Sequence, residues 1–388
     1  MERRRPLLLL SMVMFFVMSG FGIIIPVLPF LAEEVGATPF ELGLLMAVYS
    51  LMQLLFSPMW GQLSDRYGRK PVLLIGITGL SLSFFLFSIA QTLMMLFAAR
   101  VLGGALSAAA MPTVMAYAAD VTPPDERGKA MGAIGAATGL GFICGPAIGG
   151  MFSQTNLHLP FAIAGALSAA TALFVWLALP ESMRPSTASQ PAGRQRSREM
   201  MKSPLLYLYL LQWTATLALA GLEATFAYFA DRRAGLGSVE LGYIFMIMGI
   251  ASAFVQGALL GRLIKRFGEG RVLQGGLAVS TLGFASILLV HDFWTAALFL
   301  SIFGVGNGVI RPCVSSLITK QAAGRQGSAA GLLSSFDSLG RIIGPVVGGG
   351  LFSYMAGLPY LFGIVLCLVG AGLYRLFAAR SEAGRLLP

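Results

Sequence analysis

Five charged side chains lie inside long apolar stretches of this 388-residue sequence. A charge at the centre of a bilayer costs about 2.5–3.5 kcal/mol on insertion scales, so such residues are candidate functional groups by default. A carboxyl group that is removed from water binds a proton more readily, so the two acids among them could carry protons. The five residues are Arg100, Glu223, Arg311, Asp337 and Arg341.

The spacing of these charges predicts ion pairs. Asp337 and Arg341 are four residues apart and share one helix face, and Arg311 lies at a similar depth. The sequence therefore predicts an Arg311–Asp337–Arg341 cluster, which either couples to proton movement or is a static network that fixes helix register. Glu223 has apolar neighbours and is a candidate proton carrier; the alternative is an interfacial glutamate held by Arg232.

Arg100 differs from the other four because no acid of the N-terminal spans is available to pair with it. One interpretation is that the side chain extends toward the outer interface, where its guanidinium reaches water.

The composition determines the class of protein. Apolar residues make up 56% of the chain and charged residues 11%, against roughly 45–50% and 25% in soluble domains. This excludes an ordinary soluble enzyme, a disordered protein and a nucleic-acid binder. The three cysteines all lie in apolar runs and imply no disulfide framework. We predict an all-α integral membrane protein.

Twelve segments are long and apolar enough to cross a bilayer, which needs about 20 residues. One polar stretch near the middle divides them six and six. We predict an N-terminal six-helix bundle (1–180), a cytoplasmic linker (181–204) and a C-terminal six-helix bundle (205–388). The spans are roughly 7–31, 41–64, 71–90, 93–118, 130–153, 159–180, 205–230, 239–261, 272–290, 293–319, 328–353 and 357–379.

The basic residues predict the orientation. With a cytoplasmic N-terminus, 22 of the 27 Lys and Arg lie in inward segments and only Arg232 and Arg233 lie outside. This is a strong positive-inside pattern. We expect a multi-pass protein of the cell membrane with both termini cytoplasmic, so the net charge of +10 reports topology and not a nucleic-acid partner.

The two halves contain an internal repeat at an offset of about 200 residues. A duplicated six-helix unit predicts two pseudo-symmetric bundles related by an axis along the membrane normal, with a substrate site near the midplane between them. The alternative is a duplicated structural membrane protein that transports nothing. The matching segments are 61–68 with 261–268, 140–150 with 339–349, and 111–112 with 311–312.

Four motifs carry a resemblance to a known family. The loop Gly61–Lys70 closely resembles the signature loop of the major facilitator superfamily. Arg100 with 103–104 resembles the fourth-helix motif of the same superfamily. The motifs at 20–29 and 141–150 resemble those of its twelve-helix drug:proton antiporters, and the likeness is greatest to the NorA-type multidrug efflux pumps. The resemblance covers essentially the whole chain. It implies proton-coupled efflux of hydrophobic and amphiphilic drugs by alternating access.

The same resemblance implies gating residues in the loop and in the fifth span. Asp65 is expected to meet the N-terminal end of the eleventh helix, and the glycine face of the fifth span is expected to pack between the halves. The alternatives are a topogenic charge cluster and a generic small-residue packing seam. The expected gating residues are Asp65, Arg66, Gly68, Arg69, Lys70, Gly141, Gly145, Pro146 and Gly149.

Glu223 matches the seventh-helix glutamate of these pumps, so the resemblance implies proton coupling there, with Asp337, Arg311, Arg341 and Arg100 as further candidates. Flexible Met and flat aromatic side chains suit varied hydrophobic ligands. The expected substrate-binding residues are Phe15, Phe16, Tyr49, Gln53, Met111, Trp213, Glu223, Phe226, Tyr243, Met246, Asn307 and Phe336.

One departure from the family pattern leaves the substrate open. The pumps carry an acid just before the Ile310-Arg311-Pro312 of the tenth span, and this chain has none there, so the embedded charge sums to +1. Asp337 could substitute, or the chain could export an endogenous lipid-like, zwitterionic or anionic amphiphile. A nutrient symporter is less favoured. An enzyme is also less favoured, because the spans contain no histidine and the sequence shows no metal-binding motif. We expect a monomer in the lipid bilayer, driven by the proton gradient without a cofactor, that acts on small amphiphilic substrates and protons.

Overall fold

The computed structural model describes residues 4–123, 125–182, 203–322 and 326–383. Within these ranges the chain is helical and contains no strand. The predicted linker at 181–204 lies almost entirely outside the described residues, so its extent stays a prediction. The all-α architecture is confirmed.

Twelve rods of helix follow one another along the described chain, and ten are long and apolar enough to cross a membrane. The other two, helices 9 and 11, carry charged residues within or at the start of the rod. Helices 1 to 6 are Arg4–Glu34, Pro39–Tyr67, Arg69–Ser88, Leu93–Val121, Arg127–Ser153 and Leu159–Ala178. Helices 7 to 12 are Leu205–Ala234, Ser238–Phe267, Glu269–Ile287, Phe293–Gln321, Gln326–Tyr354 and Leu358–Ala383.

Two rods are interrupted at points that the apolar pattern does not reveal. Helix 4 contains a turn at Ala108 and Ala109. Helix 8 contains a π-helical segment, Val255–Leu259. Short π segments are rare and occur frequently at functional sites. The corresponding part of helix 2 is continuous α-helix.

The chain divides into two compact units. The first unit contains helices 1 to 6 apart from Pro39–Gly43, and it also contains Leu236–Met246 from the start of helix 8. The second unit contains the remaining helices together with Pro39–Gly43.

A seam of glycines joins helix 5 to helix 1 in the first unit. A Cβ added to Gly141 would lie 2.2 Å from the carbonyl oxygen of Phe15, and one added to Gly145 would lie 2.5 Å from that of Ser19. Contacts this short leave no room for any side chain, so the two backbones touch. Gly149 meets helix 1 in the same way. The contacts of these three glycines are with helix 1 of their own unit, and Gly150 at the end of the same motif meets Gly242 of helix 8. Packing of this glycine face between the halves stays a prediction.

The second unit repeats this seam between helices 11 and 7. A Cβ on Gly340 would lie 2.9 Å from Cβ of Thr216, and one on Gly344 would lie 2.6 Å from the carbonyl oxygen of Leu217. A Cβ added to Gly348 would lie 2.8 Å from Cα of Gly221. Both units thus depend on the same close approach of two helix backbones.

The three cysteines are free and differ in accessibility. Cys313 and Cys367 are buried, and Cys144 is partly exposed. Cys144 directly precedes Gly145 and so lies beside the helix 1–helix 5 seam. The expectation that no disulfide is present agrees with this arrangement.

We predict that Gly145→Val destabilises the protein by about 1–3 kcal/mol, the usual cost of overpacking. The reason is the 2.5 Å contact with a backbone oxygen, which cannot rotate away. Thermal unfolding of the purified protein in detergent measures the effect. Gly139→Val is the matched control on the same helix, because no atom lies within 4 Å of its added Cβ. Equal melting temperatures for the two variants would contradict the seam.

Candidate functional site

A polar cavity of about 420 Å³ lies within the second unit, between helices 7, 8, 10 and 11. Its size is in the range of small-molecule sites. Three of the five embedded charges line it, and so does the predicted Asn307. The lining residues are Gln212, Ala215, Thr216, Leu219, Gln256, Asn307, Gly308, Ile310, Arg311, Pro312, Ser315, Asp337 and Arg341.

Asp337 is the centre of a hydrogen-bonded network on the cavity wall. Its Oδ1 accepts a hydrogen bond from Thr216 Oγ1 at 2.7 Å and one from Gln212 Nε2 at 2.8 Å. Its Oδ2 lies 3.0 Å from Nη2 of Arg311. Nε2 of Gln212 also donates a hydrogen bond to Oγ1 of Thr216, at 3.2 Å. A buried carboxylate with three partners keeps its charge at lower cost than an isolated one.

A second ion pair joins Arg341 to Glu223. Nη1 of Arg341 lies 3.8 Å from Oε2 of Glu223, a longer and weaker contact than the pair at Asp337. The spacing argument that paired Arg341 with Asp337 is therefore wrong: the two side chains diverge to different partners on helices 7 and 10. The alternative that Arg232 holds Glu223 is also wrong, because Arg232 lies over the ring of Phe352 at 5.0 Å.

Acids and bases differ in their exposure. The side chains of Arg311 and Arg341 are 63% and 49% exposed, whereas those of Asp337 and Glu223 are 12% and 11% exposed. Both carboxylates are thus largely buried, and of the two only Asp337 lines the cavity, whereas both guanidinium groups line it and are exposed to its open space. A ligand that enters this cavity meets hydrogen-bond donors first.

Sequence reasoning missed the uncharged members of this network. Gln212 and Thr216 are buried, and Oε1 of Gln212 has no hydrogen-bond partner in the described residues. Gln256 lines the cavity and donates to Ser252 at 3.0 Å. The signal that could have found Gln212 and Thr216 is their spacing of four residues, which makes them a polar pair on one face of the otherwise apolar helix 7.

Among the described residues of the first unit, no acid pairs with the embedded Arg100. Arg100 is 5% exposed, and its Cζ lies 5.3 Å from the ring centroids of both Tyr49 and Phe87. Aromatic faces stabilise a desolvated cation. The alternative that Arg100 extends to the interface is wrong, since the side chain is enclosed. Tyr49 is further held by Ser107 at 2.7 Å and by Gln53 at 2.8 Å.

The structure distributes the predicted substrate-binding residues between the two units. Phe226 is fully buried and packs in the core of the second unit. Phe336 stacks on the ring of Tyr209 at 5.6 Å. In the first unit lie Phe15, Phe16, Tyr49, Gln53, Met111, Tyr243 and Met246, and in the second lie Trp213, Glu223, Phe226, Asn307 and Phe336.

The predicted gating loop is held by a network at the ends of helices 2, 3, 4 and 6. Gly68 has φ 110°, which favours glycine, and a Cβ there would lie 2.6 Å from Glu181. Arg69 pairs with Asp65 at 2.5 Å and with Asp120 at 3.1 Å. The backbone N–H groups of Arg69 and Lys70 donate to Glu181 at 2.9 and 3.0 Å, so this acid caps helix 3.

Asp120 and Glu181 thus also hold this loop in place, from other segments of the chain, and the sequence did not reveal them. Asp120 lies 51 residues and Glu181 112 residues from Arg69 along the chain, so no local spacing marks them. In the described residues no cluster of His, Cys, Asp or Glu could hold a metal ion.

Comparisons with known proteins agree with this architecture. Residues 10–345 and 234–387 match the family model of the Major Facilitator Superfamily. Multidrug resistance protein 1 of Bacillus subtilis is 33% identical over 93% of each chain. Quinolone resistance protein NorA of Staphylococcus aureus is 29% identical over 92% of each chain.

Solved structures with the same fold are more distant in sequence. The nucleoside transporter NupG has a TM-score of 0.78 at 15% identity, covering 96% of this chain and 98% of its own. A bacterial homolog of the human lysosomal transporter Spinster has a TM-score of 0.74 at 19% identity, covering 97% of this chain and 93% of its own. At these identities the likeness shows the fold alone.

We predict that Thr216→Val lowers the free energy of unfolding by about 1.5–3 kcal/mol, since it removes a hydrogen bond to a buried carboxylate. Valine keeps the shape of the side chain, so the loss reports the hydroxyl. The control is Thr225→Val on the same helix, whose hydroxyl donates to the backbone oxygen of Gly221 at 2.8 Å. Chemical denaturation in detergent measures both. A loss no larger than that of the control would show that Asp337 does not depend on Thr216.

Proposed function

The chain belongs to the Major Facilitator Superfamily, and from that membership we propose that it is a multidrug efflux transporter that exchanges protons for amphiphilic drugs by alternating access. Membership makes the chain a multi-pass membrane transporter and not an enzyme. The named relatives, a multidrug resistance protein and a quinolone resistance protein, support drugs as the substrate class.

The observation that carries proton coupling is the pair of acid–base contacts at the polar cavity. The Glu223–Arg341 contact at 3.8 Å is long for an ion pair, and Glu223 is largely buried. Protonation of this carboxylate removes its attraction for Arg341 and reduces the cost of burying it. The guanidinium is then free to move, and the wall of the cavity changes its charge. We assign Glu223 as the main proton carrier.

Asp337 is the second proton site in this proposal. Its carboxylate has three partners, Thr216, Gln212 and Arg311, whereas Glu223 has one long contact with Arg341. Asp337 substitutes for the acid that is absent before Arg311. A cationic drug that approaches the cavity competes with Arg311 for this carboxylate, and a proton taken up there releases the drug.

The loop network supports a gating role for helix 2. Arg69 links Asp65 to Asp120, so a change that frees Asp65 also alters the end of helix 4. Gly68 and the capping acid Glu181 set the geometry of this turn. We propose that Asp65 exchanges partners during the transport cycle.

The remaining features of the proposal follow from the same mechanism. The proton gradient supplies the energy, so no cofactor is needed. The protein works as a monomer in the cell membrane with both termini in the cytoplasm, where the positive-inside pattern predicts them. Its substrates are small and amphiphilic.

A second candidate function is export of a zwitterionic or anionic amphiphile, which the exposure of the guanidinium groups favours. Arg311 and Arg341 present donors to the cavity, while their partner acids Asp337 and Glu223 are largely buried. Guanidinium groups bind carboxylates and phosphates in a bidentate manner. A substrate with a carboxylate would find complementary charge here.

We predict that Glu223→Gln abolishes drug transport driven by an imposed pH gradient in proteoliposomes. Glutamine keeps the shape but cannot release a proton, so binding of the drug should persist while turnover stops. Fluorescent dye flux and equilibrium dye binding are the two measurements. Glu126→Gln, at an exposed loop position, is the matched control and should leave flux unchanged. Full gradient-driven flux in Glu223→Gln would refute the assignment.

We predict that substrate charge separates the two candidate functions. Under the leading proposal, proteoliposomes transport cationic dyes faster than zwitterionic or anionic amphiphiles of similar size. Under the second candidate the order is reversed, and Arg311→Gln loses transport of the anionic compound while Arg311→Lys keeps part of it. An unchanged anionic flux in Arg311→Gln would exclude this arginine as the anion site.

A further inference from the structure

A second cavity of about 340 Å³ lies in the second unit, between helices 8, 9 and 10. It is an apolar groove that opens to the surface, and its single charged lining residue is Arg271. The lining residues are Val255, Leu263, Phe267, Arg271, Val272, Gly275, Gly276, Val279, Val305, Gly306 and Val309.

The groove lies on the opposite side of helix 10 from the polar cavity. Asn307, Arg311 and Ser315 recur every four residues and line the polar cavity, whereas Val305 and Val309 line the groove. A shift of two residues rotates a side chain by about 200° around a helix. The groove is therefore separate from the site described above, and it faces away from it.

The internal repeat shows what makes the groove open. Two hundred residues earlier, the first unit carries Ile75 and Leu106 where the groove has Gly275 and Gly306. Leu106 packs directly on Gly79, since a Cβ added there would lie 2.2 Å from the Leu106 Cβ. In the second repeat, no atom lies within 4 Å of a Cβ added to Gly275, whereas Gly306 packs closely on helix 9, where an added Cβ would lie 2.5 Å from the backbone nitrogen of Ser280. The groove is therefore open beside Gly275, at the position where the first repeat carries Ile75.

One end of the groove is strongly basic. Arg271 is exposed and lines the groove at the start of helix 9, and Arg262, Lys265 and Arg266 lie on the adjoining last turns of helix 8. In the described part of the chain, no carboxylate lies within ion-pair distance of any of these four. The acid nearest in sequence, Glu269, is bonded to Lys320.

We propose that this groove binds one acyl chain of an anionic phospholipid, with the lipid phosphate on Arg271. The positive-inside pattern puts this loop on the cytoplasmic side, where the leaflet is rich in anionic lipid. The groove runs from Arg271 to Val279, about 12 Å of helix, which is close to half of the roughly 30 Å hydrocarbon thickness. Charge and depth therefore match a lipid of the inner leaflet.

The test uses the full-length protein, purified in detergent and stripped of lipid, with phosphatidylglycerol or phosphatidylcholine added back. Native mass spectrometry counts the lipids that each protein retains. The wild type should retain one phosphatidylglycerol more firmly than any phosphatidylcholine. Equal retention of the two lipids would overturn the proposal.

Gly275→Ile fills the groove with the residue that the first repeat carries at this position. No atom lies within 4 Å of the added Cβ, so the variant should fold. It should lose the tightly retained phosphatidylglycerol. Gly372→Ile on helix 12, which also has open space around its Cβ, is the matched control and should retain it. Retention in Gly275→Ile equal to wild type would overturn the acyl-chain site.

A substitution of Arg271 tests the proposed contact with the lipid phosphate. Arg271→Gln should weaken binding of phosphatidylglycerol about fivefold, the effect of one basic residue at a membrane surface, and leave phosphatidylcholine unchanged. Arg375→Gln, an exposed position on helix 12, is the charge-matched control. Displacement of the bound phosphatidylglycerol by a cationic dye would instead assign the groove to the drug pathway and overturn the lipid site.

Discussion

The structure depends first on helix backbones that touch. Lipid provides no hydrophobic force between helices, so close packing of small residues has to hold them together. Gly340 and Gly344 bring helix 11 against helix 7, and Asp337 lies one turn before this seam. The hydrogen bonds from Thr216 and Gln212 reach the carboxylate only because the two helices are this close. The polar network is therefore a consequence of the glycine seam.

Several levels of the structure followed from the sequence, and the reasons are physical. Hydrophobic length predicts helices, and the repeat of glycines every four residues predicts close-packed faces. The Arg311–Asp337 contact was predicted from the similar depth of the two residues, and the structure contains it. The partner of Arg341 was not predicted, because spacing on one helix ignores the neighbouring helices. Asp337 and Arg341 share a face, yet each finds a nearer partner on another helix. Thr216 escaped notice because it carries no charge, although it supports the buried acid directly.

The two repeats share their packing and differ in their chemistry. In the first unit a single buried arginine lies between two aromatic rings and pairs with no acid among the described residues. In the second unit two acids and two arginines form separate pairs at a cavity. Titratable groups embedded among the described helices are thus concentrated in one half of the molecule. Under the proposed mechanism, proton chemistry belongs to that half, and the other half contributes the loop at Gly68.

The position of Cys144 gives the natural protein a chemical reporter. Of the three thiols, Cys313 and Cys367 are buried and protected from reagents, whereas Cys144 is partly exposed beside Gly145. Cys144 is thus the one of the three thiols that the protein itself does not shield from a membrane-permeant maleimide or spin label. Labelling kinetics could follow movements of the helix 1–helix 5 seam without any engineered cysteine and without removing the native ones.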